Sequence, residues 1–206
     1  MLKRKPWQLT LPHQLSMLLP LLFFTPQNIL EIGLGGGAFR RYINQLLPEC
    51  NFSSVELNEV IIECFHSFFN PHNIDTRIIH HSAEKWLTTQ SQLTFDWIII
   101  DIFVSIEDSV ISYQLIETLL NQTQSNTIIT LNLPNEKEQQ INTLLTHLKC
   151  HPNIHVVYFT IPHYKNIILH ILPTTKTKQL TPKTPSPLKE HQQRRWQRIW
   201  QQGIHV

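Results

Sequence analysis

The 206-residue sequence predicts an α/β fold: a seven-stranded, mostly parallel sheet ending in a C-terminal antiparallel hairpin, with helices on both faces. Three observations lead there. Apolar runs of strand length alternate five times with segments of helical period, which implies right-handed crossovers and parallel pairing. Two more strand-like runs then follow each other across a short loop around Pro162, and strands so joined pair antiparallel, because parallel pairing needs a long crossover. Finally, four of the five glycines, Gly33, Gly35, Gly36 and Gly37, fall in one stretch between the first strand and the helix after it.

Taken in order, Lys3, Arg4 and Lys5 precede an apolar run from Leu15 to Phe24. The run is about ten residues where a membrane span needs roughly 20, Pro20 interrupts it, and no small-x-small cleavage site follows, so a secretory leader is not expected. A first amphipathic helix over the sheet is the expectation. Asn28 to Ile32 is a short apolar strand. Ala38 to Leu47 has helical spacing, with Phe39, Ile43, Leu46 and Leu47 on one side, Arg40 and Arg41 on the other, and Pro48 as its stop. Phe52 to Leu57 is a second strand, Glu59 to Phe69 a helix stopped before Pro71, Thr76 to His80 a third strand and Ala83 to Thr88 a short helix. Phe95 to Asp101 is a fourth strand, and its unbroken Ile98-Ile99-Ile100 fits burial on both faces. Glu107 to Leu120 reads as helix, Thr127 to Leu133 as strand, Glu136 to Leu148 as helix, and Ile154 to Phe159 and Asn166 to Leu172 as the closing strands. This layout is that of the class I S-adenosylmethionine-dependent transferases, a Rossmann-like fold.

Residues 1–172 thus form the expected domain. Residues 173–187, rich in Pro, Thr and Lys, have little to bury and read as a linker. Residues 188–206 recover helical character, with Trp196, Ile199 and Trp200 in one stripe flanked by Arg194, Arg195 and Arg198. That stripe is expected to dock on its own domain or a sister subunit of a homodimer, or else to meet a partner. A hydrophobic content of 41% is far above the disordered regime, and a net charge of +2 is too mild to argue for nucleic acid. Three widely spaced cysteines, Cys50, Cys64 and Cys150, form no CxxC pair, which speaks against a disulfide framework or a Cys-built zinc site and for a reducing cytoplasm. The twelve histidines show no HExxH motif, and scattered histidines rather than a metal site are expected.

Glu31-Ile-Gly33-Leu-Gly35-Gly36-Gly37 carries the main chemical signal. Glycines between a strand and a helix permit positive φ and let a ligand approach the backbone. The second strand ends in Glu56, 23 residues beyond Gly33, where a carboxylate can accept both ribose hydroxyls of an adenosine ligand. The bland alternative is a tight turn plus a helix-capping acid near Asn58. No Lys-Ser/Thr follows the glycines, so this is not an ATP-binding loop; a dinucleotide fold stays open, while GxGxG with Glu31 two residues ahead favours an adenosyl-sulfonium ligand, whose cationic end Glu31 would help position. Asp101 ends the fourth strand, at the edge where functional acids of open α/β sheets collect, and could take an amine's proton; a turn cap is its alternative. Glu107 and Asp108 read as first-turn helix acids. Asn132-Leu-Pro-Asn135 follows the fifth strand and lacks an aromatic, so it is set aside as an amino-methylation motif.

Residues 29–38, Ser54 to Val60, Phe95 to Asp101 and Thr127 to Leu133, with His13-x-x-x-Met17 and Lys165-Asn166, resemble the spermidine synthase family, the polyamine aminopropyltransferases. The likeness covers roughly residues 13–172. It implies a class I methyltransferase fold, decarboxylated S-adenosylmethionine as aminopropyl donor, Glu56 on the ribose, Ser82 and Ala83 near the adenine, and Asp101 as catalytic acid/base. The sequence departs from that family where Gly36, Ser82 and Val104 replace acids, and only about a dozen residues stand where the family has an N-terminal β-domain that closes over the diamine. Three readings follow: an aminopropyl or methyl transferase acting on an amine; a methyltransferase on another small acceptor; and a non-catalytic adenosyl- or partner-binding protein.

Overall fold

The structure is a computed structural model, and it describes residues 1–71, 77–102, 113–134, 138–174 and 186–206. Val104, Glu107, Asp108, Asn135 and residues 175–185 of the expected linker lie outside them. The strands are β1 (Asn28–Ile32), β2 (Asn51–Glu56), β3 (Arg77–His80), β4 (Trp97–Ile100), β5 (Ile128–Pro134), β6 (Ile154–Thr160), β7 (Asn166–Pro173) and β8 (Ile204–His205). Their order across one sheet is β3-β2-β1-β4-β5-β7-β6-β8. The first five pair parallel; β7 joins β5 antiparallel, β6 joins β7 antiparallel and β8 joins β6 antiparallel. The expected parallel sheet and closing hairpin are present. The eighth strand was not expected: two residues carry no periodicity, and only a partner edge makes them a strand.

The helices are α1 (Pro12–Met17), α2 (Ala38–Leu46), α3 (Glu59–Cys64), α4 (Ala83–Thr88), α5 (Tyr113–Gln122), α6 (Glu138–Lys149) and α7 (Glu190–Trp200). The expected first helix is shorter than its apolar run. Pro20 falls in a separate 3-10 turn, Leu19–Leu22, because proline lacks the N–H that would continue the α-helix. The helix expected over residues 59–69 likewise breaks into α3 and a π-turn at Phe65–Phe69.

Alternation along the strands sorts the core onto two faces. Leu30, Ile32, Ile98 and Ile100 meet α4, α5 and α6 on one face. Ile29, Trp97, Ile99 and Ile168 face the other way, toward α1, α2, the 3-10 turn and α7. Ile98, Ile99 and Ile100 are all fully buried, as their unbroken run implied. Trp196 and Trp200 belong to the second face: Trp200 packs edge-on to Phe23 with ring centroids 4.6 Å apart, and Trp196 stacks on Tyr42. The Ser186 hydroxyl donates to the Leu21 carbonyl (2.8 Å) and fixes the entry to α7.

Arg40 and Arg41 overturn the expected solvent face of α2. They are 2% and 5% exposed. Arg40 donates to Phe52 O (3.0 Å), Ser54 Oγ (2.7 Å) and Arg77 O (3.3 Å), tying α2 to β2 and β3. Arg41 donates to Pro6 O (2.7 Å), Phe69 O (2.7 Å) and Gly36 O. Carbonyls brought in from distant segments make burial of these cations tolerable. Among the described residues no helix is long and apolar enough to cross a membrane.

Candidate functional site

A cleft of about 580 Å³ opens at the C-terminal ends of β1, β2, β4 and β5. It brings together Glu31, Gly33, Gly35, Glu56, Ser82, Ala83 and Asp101, seven of the eight residues singled out from the sequence. Gly37 is the exception. It starts α2 in the left-handed region (φ +61°), and a Cβ there would meet the Phe65 ring at 2.3 Å, so its glycine serves packing beneath the turn. Gly36 lines the cleft in its stead.

The floor is the turn after β1. Gly33 has φ +93°, and a Cβ on it would lie 2.3 Å from the Asp101 carbonyl oxygen, so close passage of the strand ends demands glycine here. Arg41 holds the turn through the Gly36 carbonyl.

Glu56 ends β2. Its Oε2 accepts from Leu34 N and its Oε1 from Asn58 N, each at 2.9 Å. Asn58 in turn caps α3 by accepting from Val60 N at 3.0 Å. The capping alternative therefore describes part of what Glu56 does, yet the carboxylate also lines the cleft with each oxygen still able to accept more.

Glu31 lies deeper, 1% exposed, and accepts from Ser54 Oγ at 2.5 Å. Burial pushes its carboxyl up to about 8, against the opposing charge of Arg40 and the Ser54 hydrogen bond. Ser54 is thus a bridge: Arg40 donates to its oxygen, and it donates to Glu31.

Asp101, just beyond β4, accepts from Asn132 Nδ2 at 2.7 Å, and Asn132 Oδ1 accepts from Asn166 Nδ2 at 2.8 Å. This amide row fixes one carboxylate oxygen and leaves the other uncommitted to it. His13 lines the same cleft, and its buried Nδ1 has no hydrogen-bond partner among the described residues. Burial lowers its pKa and the Asp101 charge works in the opposite direction. Ser82, where an acid was the family expectation, caps α4 by accepting from Lys85 N at 3.3 Å.

Sequence reasoning undervalued two of these groups. His13 appeared only as part of a resemblance. Asn132 was set aside as a methylation motif, although a polar residue ending a buried strand was itself a signal.

No protein-family model matches the chain. A polyamine aminopropyltransferase of Neisseria meningitidis serogroup A is 38% identical over 66 residues, 31% of this chain and 25% of that protein. One from Chromobacterium violaceum is 43% identical over 44 residues, 21% of this chain and 17% of that protein. The chain therefore matches a quarter or less of the length of these curated relatives. Among solved structures, human methyltransferase-like protein 13 in complex with SAH aligns with TM-score 0.69 and 16% identity over 93% of each chain. A probable spermidine synthase from Corynebacterium glutamicum aligns with TM-score 0.65 and 16% identity, over 93% of this chain and 79% of that one. The chain thus has the class I methyltransferase fold and, over a short stretch, a sequence similar to that of polyamine aminopropyltransferases.

Proposed function

We propose that the chain is a transferase that binds S-adenosylmethionine or its decarboxylated form and passes the aminopropyl (or methyl) group to an amine. The observation that carries this reading is the meeting of Glu56, the Gly33–Gly36 turn and Asp101 in one cleft. Glu56, oriented by two backbone N–H groups, would accept the ribose hydroxyls. The turn would let the nucleoside lie against the backbone, and Ser82 and Ala83 would border the base. His13 Nδ1 offers a hydrogen-bonding position that no described residue fills.

The transfer balances with one residue as base. The amine nitrogen bonds to the carbon attached to sulfur; the C–S bond breaks with its electron pair going to sulfur; and the amine proton passes to Asp101. Asn132 keeps the Asp101 carboxylate aimed, and His13, its pKa lowered by burial, would add hydrogen bonding without a competing cation.

One feature favours the decarboxylated donor. The described lining holds the acids Glu31, Glu56, Glu84 and Asp101 and neither lysine nor arginine, so a donor carboxylate would meet no lysine or arginine among the described residues. Without acids at Gly36 and Ser82, a doubly charged diamine would be held less firmly than by a site that carries them. Calorimetry with S-adenosylmethionine, its decarboxylated form and methylthioadenosine tests the reading: tightest binding of the decarboxylated donor is expected. Preference for the carboxylated form would turn the reading to a methyltransferase, and binding of none of the three would end it.

A further inference from the structure

A second cluster of titratable groups lies outside the cleft, between α5 and the end of α6. His147, in the last turn of α6, places Nε2 2.5 Å from Glu117 Oε1 on α5. His151, four residues on and just past the helix, places its Nε2 3.0 Å from the same oxygen. The three ligand-type atoms lie within 4.8 Å of one another. This convergence runs against the expectation of scattered histidines.

We propose that Glu117, His147 and His151 form a binding site for a divalent transition-metal ion of the zinc class, independent of the nucleoside cleft. Two imidazoles and one carboxylate are a borderline-soft donor set. It suits Zn²⁺ and its neighbours, whereas Mg²⁺ and Ca²⁺ prefer oxygen ligands throughout. Tetrahedral zinc with bonds near 2.0–2.1 Å places its donors about 3.3 Å apart. Here the two nitrogens lie 2.5 and 3.0 Å from the carboxylate oxygen and all three donors within 4.8 Å of one another, so loading asks the side chains to spread from hydrogen-bonded spacing around the ion. Both rings present Nε2, so one tautomer, with the proton on Nδ1, frees both nitrogens for the metal.

The side chains are part-exposed, at 41% for His147, 33% for Glu117 and 31% for His151, so an ion can enter and water can complete its coordination. A groove of about 890 Å³ borders His147 and keeps that side open. Cys150 lies in the groove, but its thiol faces Thr146 O at 3.6 Å, within its own helix turn. The bound ion would clip α5 to the end of α6, across 30 residues of chain from Glu117 to His147. A chelated site of this kind stabilises the native state because the unfolded chain does not hold its ligands together.

The test is Zn²⁺ titration of the full chain by competition with a chromogenic chelator, with Co²⁺ absorption reporting geometry. One equivalent should bind, raise the melting temperature and give tetrahedral Co²⁺ bands. The double variant His147→Asn/His151→Asn should lose affinity by roughly 100-fold or more, since loss of even an outer-shell partner costs 10–100-fold. Should that variant fold poorly without metal, Glu117→Gln, of nearly the same shape, must still lower the affinity. His155 and His205, with Nε2 and Nδ1 2.9 Å apart, are the rival pair, and His155→Asn should change nothing. Absence of one-equivalent binding, undiminished binding by the double variant or, if that variant is unfolded, by Glu117→Gln, or loss of binding in His155→Asn would each overturn the proposal.

Discussion

Glu31 and His170 stand on a single rung of the sheet, joined through the pairs Glu31–Ile99, Ile99–Thr130 and Thr130–His170. They share a face, and both are buried, but their pKa values move in opposite directions. Burial pushes Glu31 up to about 8 and His170 down to about 3. His170 is closed in. Trp97 Nε1 donates to Thr130 Oγ1 (2.9 Å), the Thr130 hydroxyl donates to His170 Nδ1 (2.9 Å), and His170 Nε2 donates to Ser16 O (3.0 Å). Every polar atom of the neutral ring has a partner, and α1 seals the rung. Glu31 keeps one hydrogen bond from Ser54 and an edge on the cleft. The comparison teaches that burial alone does not mark function. What matters is whether the buried group has hydrogen-bonding capacity left over and an opening toward a ligand.

The largest expected effect tests the closed end. Ending the chain at residue 185 removes the buried Leu188, Trp196 and Trp200, a loss of about 6 kcal/mol at ~2 kcal/mol for each side chain. The melting temperature should fall by more than about 10 °C. A melting temperature within a degree or two of the intact protein would show that α7 contributes little to the second face.

Next comes His170. Its folded-state pKa lies below the unfolded value of 6.5, so its contribution is present above pH 6.5 and is lost as pH falls toward about 3. Urea unfolding should show the advantage of wild type over His170→Gln shrinking by on the order of 3 kcal/mol between pH 6.5 and pH 4. A constant difference would mean that the ring is not held neutral.

Four effects sharpen the open end. Asp101→Asn should leave donor binding intact and lower turnover by roughly 10²-fold or more, measured with any amine that serves as acceptor. Equal turnover removes Asp101 from the chemistry. Glu56→Ala should weaken methylthioadenosine about tenfold or more in calorimetry, from the loss of charge-assisted bonds worth roughly 1.5–3 kcal/mol. The smallest effect is a pH dependence at Glu31. A sulfonium cation beside it favours the ionised carboxylate, so affinity for the cationic donor should rise severalfold as pH climbs through about 8. Neutral methylthioadenosine should show no such rise, and parallel profiles for the two ligands would count against a role for Glu31 at the sulfonium. In the ligand-free protein the sign is opposite. A carboxyl whose folded pKa is raised from 4.5 stabilises least at high pH, so Glu31→Gln should gain relative stability as pH rises from 4.5 through about 8.

Local patterns carried much of this in the sequence. Apolar runs marked each of the seven longer strands, and Glu56 and Asp101 were visible as acids ending two of them. What depends on distant partners was not visible. Arg40 and Arg41 look like solvent residues on a helical wheel; carbonyls of Pro6, Phe52, Phe69 and Arg77 make them interior. Gly37 looks like part of a ligand loop until the Phe65 ring is placed beneath it. His147 and His151 are four apart in sequence, but only Glu117, 30 residues earlier, gives that spacing meaning.

The second face has a consequence for how the chain reaches its native state. Ser16 meets His170 across 154 residues and Leu21 meets Ser186 across 165. Contacts of such long range close late and slow the search for the native topology. A ribosome-bound chain that has not yet released α7 can pair β1 with β2 and β4, but it leaves the apolar surface of α1 and the 3-10 turn without the tryptophans that cover it. During synthesis this protein therefore carries an exposed sticky flank until α7 emerges. Chaperone demand and aggregation should track the interval between translation of α1 and translation of α7.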